Sequence, residues 1–258
     1  MAEEHEEHFD IDQVLQSWPF KPGVIAARLV RVREDREVLQ MRIEMGLLQM
    51  EVTGRPDGEH PGGASTCLEW LQELARLEEG EFVLSLEHCV EIDRELVQFY
   101  HRRICFLALR QFARAVTDAD YILALMDFAA EHSPNQQWTM SHEHYRPLTL
   151  FHRTQAAALL AVEETNAEAA IETINQGLEE IRKVFVKFGV EEQFDHDELI
   201  SQLAAMKESL REEYRVGKTL AEQLADAVAA EEYERAARLR DEIAKRHHIE
   251  GPKASPQS

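Results

Sequence analysis

Cysteine is scarce in this sequence: Cys67, Cys89 and Cys105 are the three among 258 residues, and none forms a CxxC pair. An odd, sparse count argues against a disulfide framework and a cysteine-based zinc site, and it points to a reducing compartment. Long apolar runs are missing too. No stretch approaches the ~18 residues a membrane helix needs, and the opening MAEEHEEHFDID lacks the apolar h-region of a secretory signal. The expected setting is cytoplasmic, without membrane insertion. Basic residues are few, 28 against 49 acidic ones, for a net charge of -21. Bulk electrostatics therefore oppose the nucleic-acid backbone and anionic membranes, and only a local basic patch would overcome that. No GxGxxG, GxSxG, HExxH or GxxxxGK[ST] string occurs, so no cofactor, catalytic residue or ATP hydrolysis is assigned.

What is present suffices for a core, since 44% of residues are hydrophobic. Residues 1–20 read as an acidic tail, disordered over 1–10, followed by a short helix from Ile11 to Trp18 that stops before Pro19. Residues 21–56 form the one β region. Leu39, Met41, Ile43 and Met45 alternate with Gln40, Arg42 and Glu44, the period of a half-buried strand. After Gly46 the parity flips to Leu48, Met50 and Val52, which predicts a bulge or tight turn there. Val24 to Val32 is a third candidate strand. The glycines and prolines of 57–65 mark a loop.

From Cys67 onward the pattern is helical. Helices are predicted near 66–78, 84–109, 112–132, 141–163, 167–188, 196–216, 218–230 and 233–247, with stops at Gly189 and near Gly217 and a disordered tail over 248–258. Helix 84–109 carries two apolar sets: Leu86, Val90, Val97, Tyr100, Ile104 and Leu107, and Ile92, Leu96, Phe99 and Phe106. Two apolar faces predict neighbours on both sides.

Tyr100 to Leu125 combines a helix, a short turn, an aromatic at Phe112, Ala115 three residues on, then Asp118. The rhythm returns from Phe151 to Val184. This resembles a degenerate tetratricopeptide (TPR) unit, although Tyr121 stands where that family has a small residue and no clean 34-residue period exists. The expected fold class is therefore mainly α. It is a helical bundle or degenerate TPR-like pairs over 66–216, with the small antiparallel β element before it and a helical hairpin over 218–247.

That hairpin carries the most specific signal. Leu220, Leu224, Ala227 and Val228 follow 3–4 spacing, then Tyr233, Glu234, Ala236, Ala237, Leu239, Arg240, Asp241 and Ile243 follow without a gap. The string resembles the UVR motif of UvrB, UvrC, Clp-type unfoldases and activators of protein-arginine kinases. The cysteine pairs of the kinase activators are missing. The resemblance implies protein–protein binding through Leu224, Tyr233, Glu234, Ala236, Ala237, Leu239, Arg240 and Asp241. The partner it implies is a UVR-bearing repair subunit, a Clp-type unfoldase or a second copy of this chain. Tyr233 is expected to close the turn. Arg240 and Asp241, adjacent in sequence, are expected to point apart rather than pair.

Two other readings stand beside that adaptor. Lys21, Arg28, Arg31, Arg33, Arg36, Arg42 and Arg55 outnumber Glu34, Asp35, Glu37, Glu44 and Glu51 by seven to five, a local +2. That would suit a repair accessory binding nucleic acid, or simply ion-paired strand faces. His142, His144 and His152 are candidates for zinc or iron, but no third ligand sits at fixed spacing, and histidines of a loop or helix start explain them.

Overall fold

Alternation and one tight turn build the sheet. In the computed structural model, which describes residues 11–249, strands β1 (Ala27–Arg31), β2 (Glu37–Ile43) and β3 (Gly46–Glu51) pair antiparallel in the order β1-β2-β3. Leu29 faces Leu39, Leu39 faces Met50, and Ile43 faces Gly46. Glu44 and Met45 are thus a two-residue turn, which resolves the parity flip. Met45, read as part of the apolar face, instead sits at the turn tip and is 90% exposed. Arg42 is buried on β2. Its guanidinium donates to the carbonyls of Trp18 and Gly46, each at 2.8 Å, and to that of Ile43.

The helices run α1 (Asp12–Ser17), α2 (Cys67–Leu77), α3 (Leu86–Ala108), α4 (Phe112–Glu131), α5 (Gln136–Glu143), α6 (Arg146–Glu164), α7 (Ala167–Lys187), α8 (Glu198–Tyr214), α9 (Leu220–Ala229) and α10 (Tyr233–Ile249). The predicted helix 141–163 is two. Asn135 caps α5 by accepting from the Trp138 N–H at 2.9 Å, and α6 begins afresh with Pro147 in its first turn, where a missing N–H costs nothing. The predicted helix 196–216 starts later, because Asp197 is its N-cap and Glu191–His196 is a 3-10 turn. The stop placed near Gly217 lies at Arg215, which takes the left-handed conformation with φ 54°. The predicted tails over 1–10 and 250–258 lie outside the described residues, and His248 and Ile249 continue α10.

The described residues divide into two compact units at Ala156/Ala157, inside α6. In the first, Leu39, Met41 and Met50 pack on Ile104, Cys105, Phe106 and Ala115 of α3 and α4. One stripe of α3 explains the rest. Ile92, Glu95, Phe99, Arg102 and Phe106 recur at 3–4 spacing and all are buried. Arg102 grips Asp118 of α4 with two bonds of 2.9 and 2.7 Å and donates to the Glu51 and Gly54 carbonyls at 3.0 and 2.8 Å, tying β3 to the helix pair. Glu95 accepts from the Cys67 N–H and from the Tyr121 hydroxyl, and it lies 3.7 Å from Arg55. Tyr121 also stacks on Phe99 at 4.2 Å, so this bulky side chain fills a buried polar joint. The second apolar face of α3 is not covered along its length: Leu86 is 82% exposed, and Val90 and Val97 are about half exposed.

In the second unit α7 and α8 pack on each other, and α9 and α10 form a hairpin. Among the described residues no helix is long and apolar enough to cross a membrane.

Candidate functional site

The α9–α10 hairpin is held by short side chains. Leu220, Ala227, Ala236 and Leu239 are buried in its seam, with Leu224 and Ile243 packed against them. Alanines at 227 and 236 let the two axes approach closely, as a small-residue crossing requires. Thr219 and Glu222 form a capping box. The Thr219 hydroxyl accepts from the Glu222 N–H at 3.3 Å, and the Glu222 carboxylate accepts from the Thr219 N–H at 2.9 Å. The turn is a Schellman motif. The Glu232 N–H reaches the Ala227 carbonyl at 2.8 Å and the Glu231 N–H the Val228 carbonyl at 3.1 Å, with Glu231 left-handed at φ 56°. A non-glycine residue there costs about 1 kcal/mol. Glu231→Gly is accordingly expected to slow amide exchange across α9 and α10, as hydrogen-exchange mass spectrometry would show.

The expected site residues divide between two faces. Ala236 and Leu239 are buried and Leu224 is half-buried, so these hold the hairpin itself. Tyr233, Glu234, Ala237, Arg240 and Asp241 are exposed. Tyr233 does not close the turn: it begins α10 with its side chain outward, 70% exposed. Val228, placed by spacing on the inner stripe, is 54% exposed, because the seam follows Leu220, Leu224 and Ala227 and passes it by. Arg240 and Asp241 come within 3.7 Å of each other, correcting the expectation that neighbours on a helix stay apart. Both groups remain open to solvent, where such a pair contributes little. The outer face therefore carries Ala221, Ala225 and Val228 on α9, beside Tyr233, Ala237 and Arg240 on α10.

Glu222 also fastens the hairpin to its neighbours. Arg211 of α8 donates to it at 2.7 Å and to the Gly217 carbonyl at 2.7 Å, and Asn175 of α7 donates at 3.2 Å. Partial burial alone would raise the Glu222 pKa, but the bonds from Arg211, the Thr219 N–H and Asn175 hold it below the usual carboxylate range. A depressed folded pKa means this stabilisation is complete above the unfolded value and is lost as pH falls through the folded one. Thermal melts between about pH 3 and 7 should show a steeper acid loss for the natural chain than for Glu222→Gln.

Residues 217–245 match the UvrB/uvrC motif, UVR. The match spans 29 of 258 residues and ends within α10. No curated protein and no solved structure matches the chain. The UVR match places the interaction motif on the hairpin just described, with its inner positions buried and its outer ones free of the seam.

The remaining sequence candidates fall elsewhere. His142, at the end of α5, donates from Nδ1 to the Trp138 carbonyl at 2.9 Å, and its Nε2 lies 2.6 Å from an Asp93 carboxylate oxygen. His144 follows it in the turn, and His152 lies on α6 with its Nδ1 unpartnered. The structure does not bring the three together: among the described residues no three His, Cys, Asp or Glu side chains gather to hold a metal ion. In the β region Arg42 and Arg55 are buried. Arg28 bonds Gln40, Arg31 pairs with Asp35 and Arg36 with Glu51; Arg31 and Arg36 stay exposed despite those partners, as do Lys21 and Arg33. All three cysteines are buried, and burial pushes the thiols of Cys67 and Cys105 up to about 12, away from thiolate chemistry.

Proposed function

We propose that this chain is a non-enzymatic adaptor, and that the α9–α10 hairpin captures a UVR-bearing, Clp-type or repair partner while the helical body, with its TPR-like pairing of α3 and α4, serves a second contact. One observation carries the reading. Within the residues that match UVR, the hairpin closes its own seam and still presents Tyr233, Ala237 and Arg240 outward at 4–3 spacing on one face of α10. Tyrosine and arginine are among the side chains enriched at the centres of protein interfaces.

The test uses the full chain. Tyr233→Ala combined with Arg240→Ala is expected to weaken capture of a purified UVR-bearing partner at least about tenfold, the effect of losing roughly 1.4 kcal/mol. Circular dichroism should be unchanged, since neither side chain lies in the seam. Capture by the double variant at full affinity would sink the reading.

A further inference from the structure

We propose that the cavity between α3, α4, α5 and the start of α6 binds a small organic carboxylate with an apolar body, anchored on Arg103. This goes beyond the adaptor reading and is independent of the hairpin. The cavity measures about 490 Å³, within the usual range for a small-molecule site. Leu96, Ile122, Met126 and Leu148 supply its walls, and Arg103 is the one Lys or Arg in its lining.

Arg103 is 2% exposed, and its Nε and Nη1 have no hydrogen-bond partner. The reason is local. Arg102 and Arg103 are adjacent on α3, and the one buried carboxylate near them, Asp118, is gripped by Arg102 through both oxygens. The only carboxylate in the cavity lining, Asp93, is taken by His142 at 2.6 Å. Among the described residues, the one Lys or Arg lining this cavity is thus left with no carboxylate bonded to its Nε or Nη1, and Asp118 acts on it only through its charge. A buried guanidinium without an acceptor is unfavourable, and burial lowers its pKa to about 10. His152, close enough to feel the Arg103 charge, is held neutral by burial and by that charge, with its pKa near 4, so it adds no second cation.

The chemistry of an occupant follows. Guanidinium and carboxylate match in shape and charge, and one cation suits one negative charge rather than two. The apolar walls call for an aliphatic or aromatic body behind the acid. The volume suits a free small molecule more than a folded partner.

The experiment is calorimetry and thermal shift on the full chain with decanoate and 4-phenylbutyrate. The controls are 1-decanol, decyl phosphate and a short peptide ending in leucine, with its terminus free or amidated. Decanoate or phenylbutyrate is expected to bind and raise the melting temperature, and decanol is not. Arg103→Met is expected to weaken carboxylate binding at least about tenfold, while the ligand-free variant melts no lower than the natural chain, because an apolar side chain removes a buried guanidinium whose Nε and Nη1 have no acceptor. Leu148→Trp, which adds bulk to the cavity wall and leaves the Arg103 charge in place, should block binding. Equal binding of decanol, unchanged carboxylate affinity in both variants, or no binding by either acid would overturn the proposal. Tighter binding of decyl phosphate or of the free-terminus peptide would overturn the assigned ligand class.

Discussion

Arg102→Ala is expected to destabilise the first unit by about 3–5 kcal/mol, the loss found when one partner of a buried ion pair is removed. The size follows from what the substitution strands. Asp118 would remain buried without either of the bonds it now receives, with Arg103 as the charge left near it, and the carbonyls of Glu51 and Gly54 would lose their donor. Against a typical total of about 5–15 kcal/mol, that is a large share. Urea melts would read it as a lower midpoint. Asp118→Ala should be nearly as damaging. The double change Arg102→Met with Asp118→Leu should recover part of the loss, since an apolar pair strands no charge. If both single variants melt within about 0.5 kcal/mol of the natural chain, a change typical of neutral surface sites, the joint between sheet and helices is not held as described.

Ala227→Glu should dissolve the hairpin. Ala227 has no exposed surface, and a carboxylate there would meet Ala236 and Leu239 with no partner within the seam. Burying an unpaired charge costs several kcal/mol, more than a two-helix element of this size has in reserve. The expected result is fast amide exchange throughout α9 and α10 and loss of partner capture. Ala221→Glu, on the exposed face of α9, is the matched control and should leave exchange as it was. Protection unchanged by Ala227→Glu would refute the packing of the seam.

The hairpin was legible because Leu220, Leu224 and Ala227 repeat at helical spacing just before an uninterrupted motif. Its orientation was less so. Val228 and Tyr233 have the large apolar bodies of seam residues, and composition alone does not say which face a partner helix covers. The charged members of the α3 stripe were missed for a related reason. Glu95 and Arg102 look like solvated interruptions, yet they sit at the 3–4 positions of Ile92, Phe99 and Phe106. Charge on an apolar period is the signal that a buried pair leaves, and Arg103, four residues after Phe99, leaves it too.

Helix ends show a parallel limit. Three helices close with the same motif, at Gly189 after α7, Arg110 after α3 and Glu231 after α9, and each of these residues has positive φ. Only the glycine advertises its stop in the sequence. The two others are ordinary side chains in a strained conformation, so their boundaries came from neighbouring turns. The sequence pattern does not separate α5 from α6, because eight residues with only Trp138 and Met140 as large apolar members give periodicity too little length to register.

Arg211 bridges the connection between α8 and α9 at two points, the Gly217 carbonyl and the Glu222 carboxylate. The connector is therefore a closed ring rather than a slack tether. A pull exerted on the hairpin by a bound protein would run through that ring sideways into α8, before the backbone of residues 215–219 is drawn taut. Since Glu222 also completes the capping box of α9, that load would fall on the same carboxylate that holds the helix wound at its base.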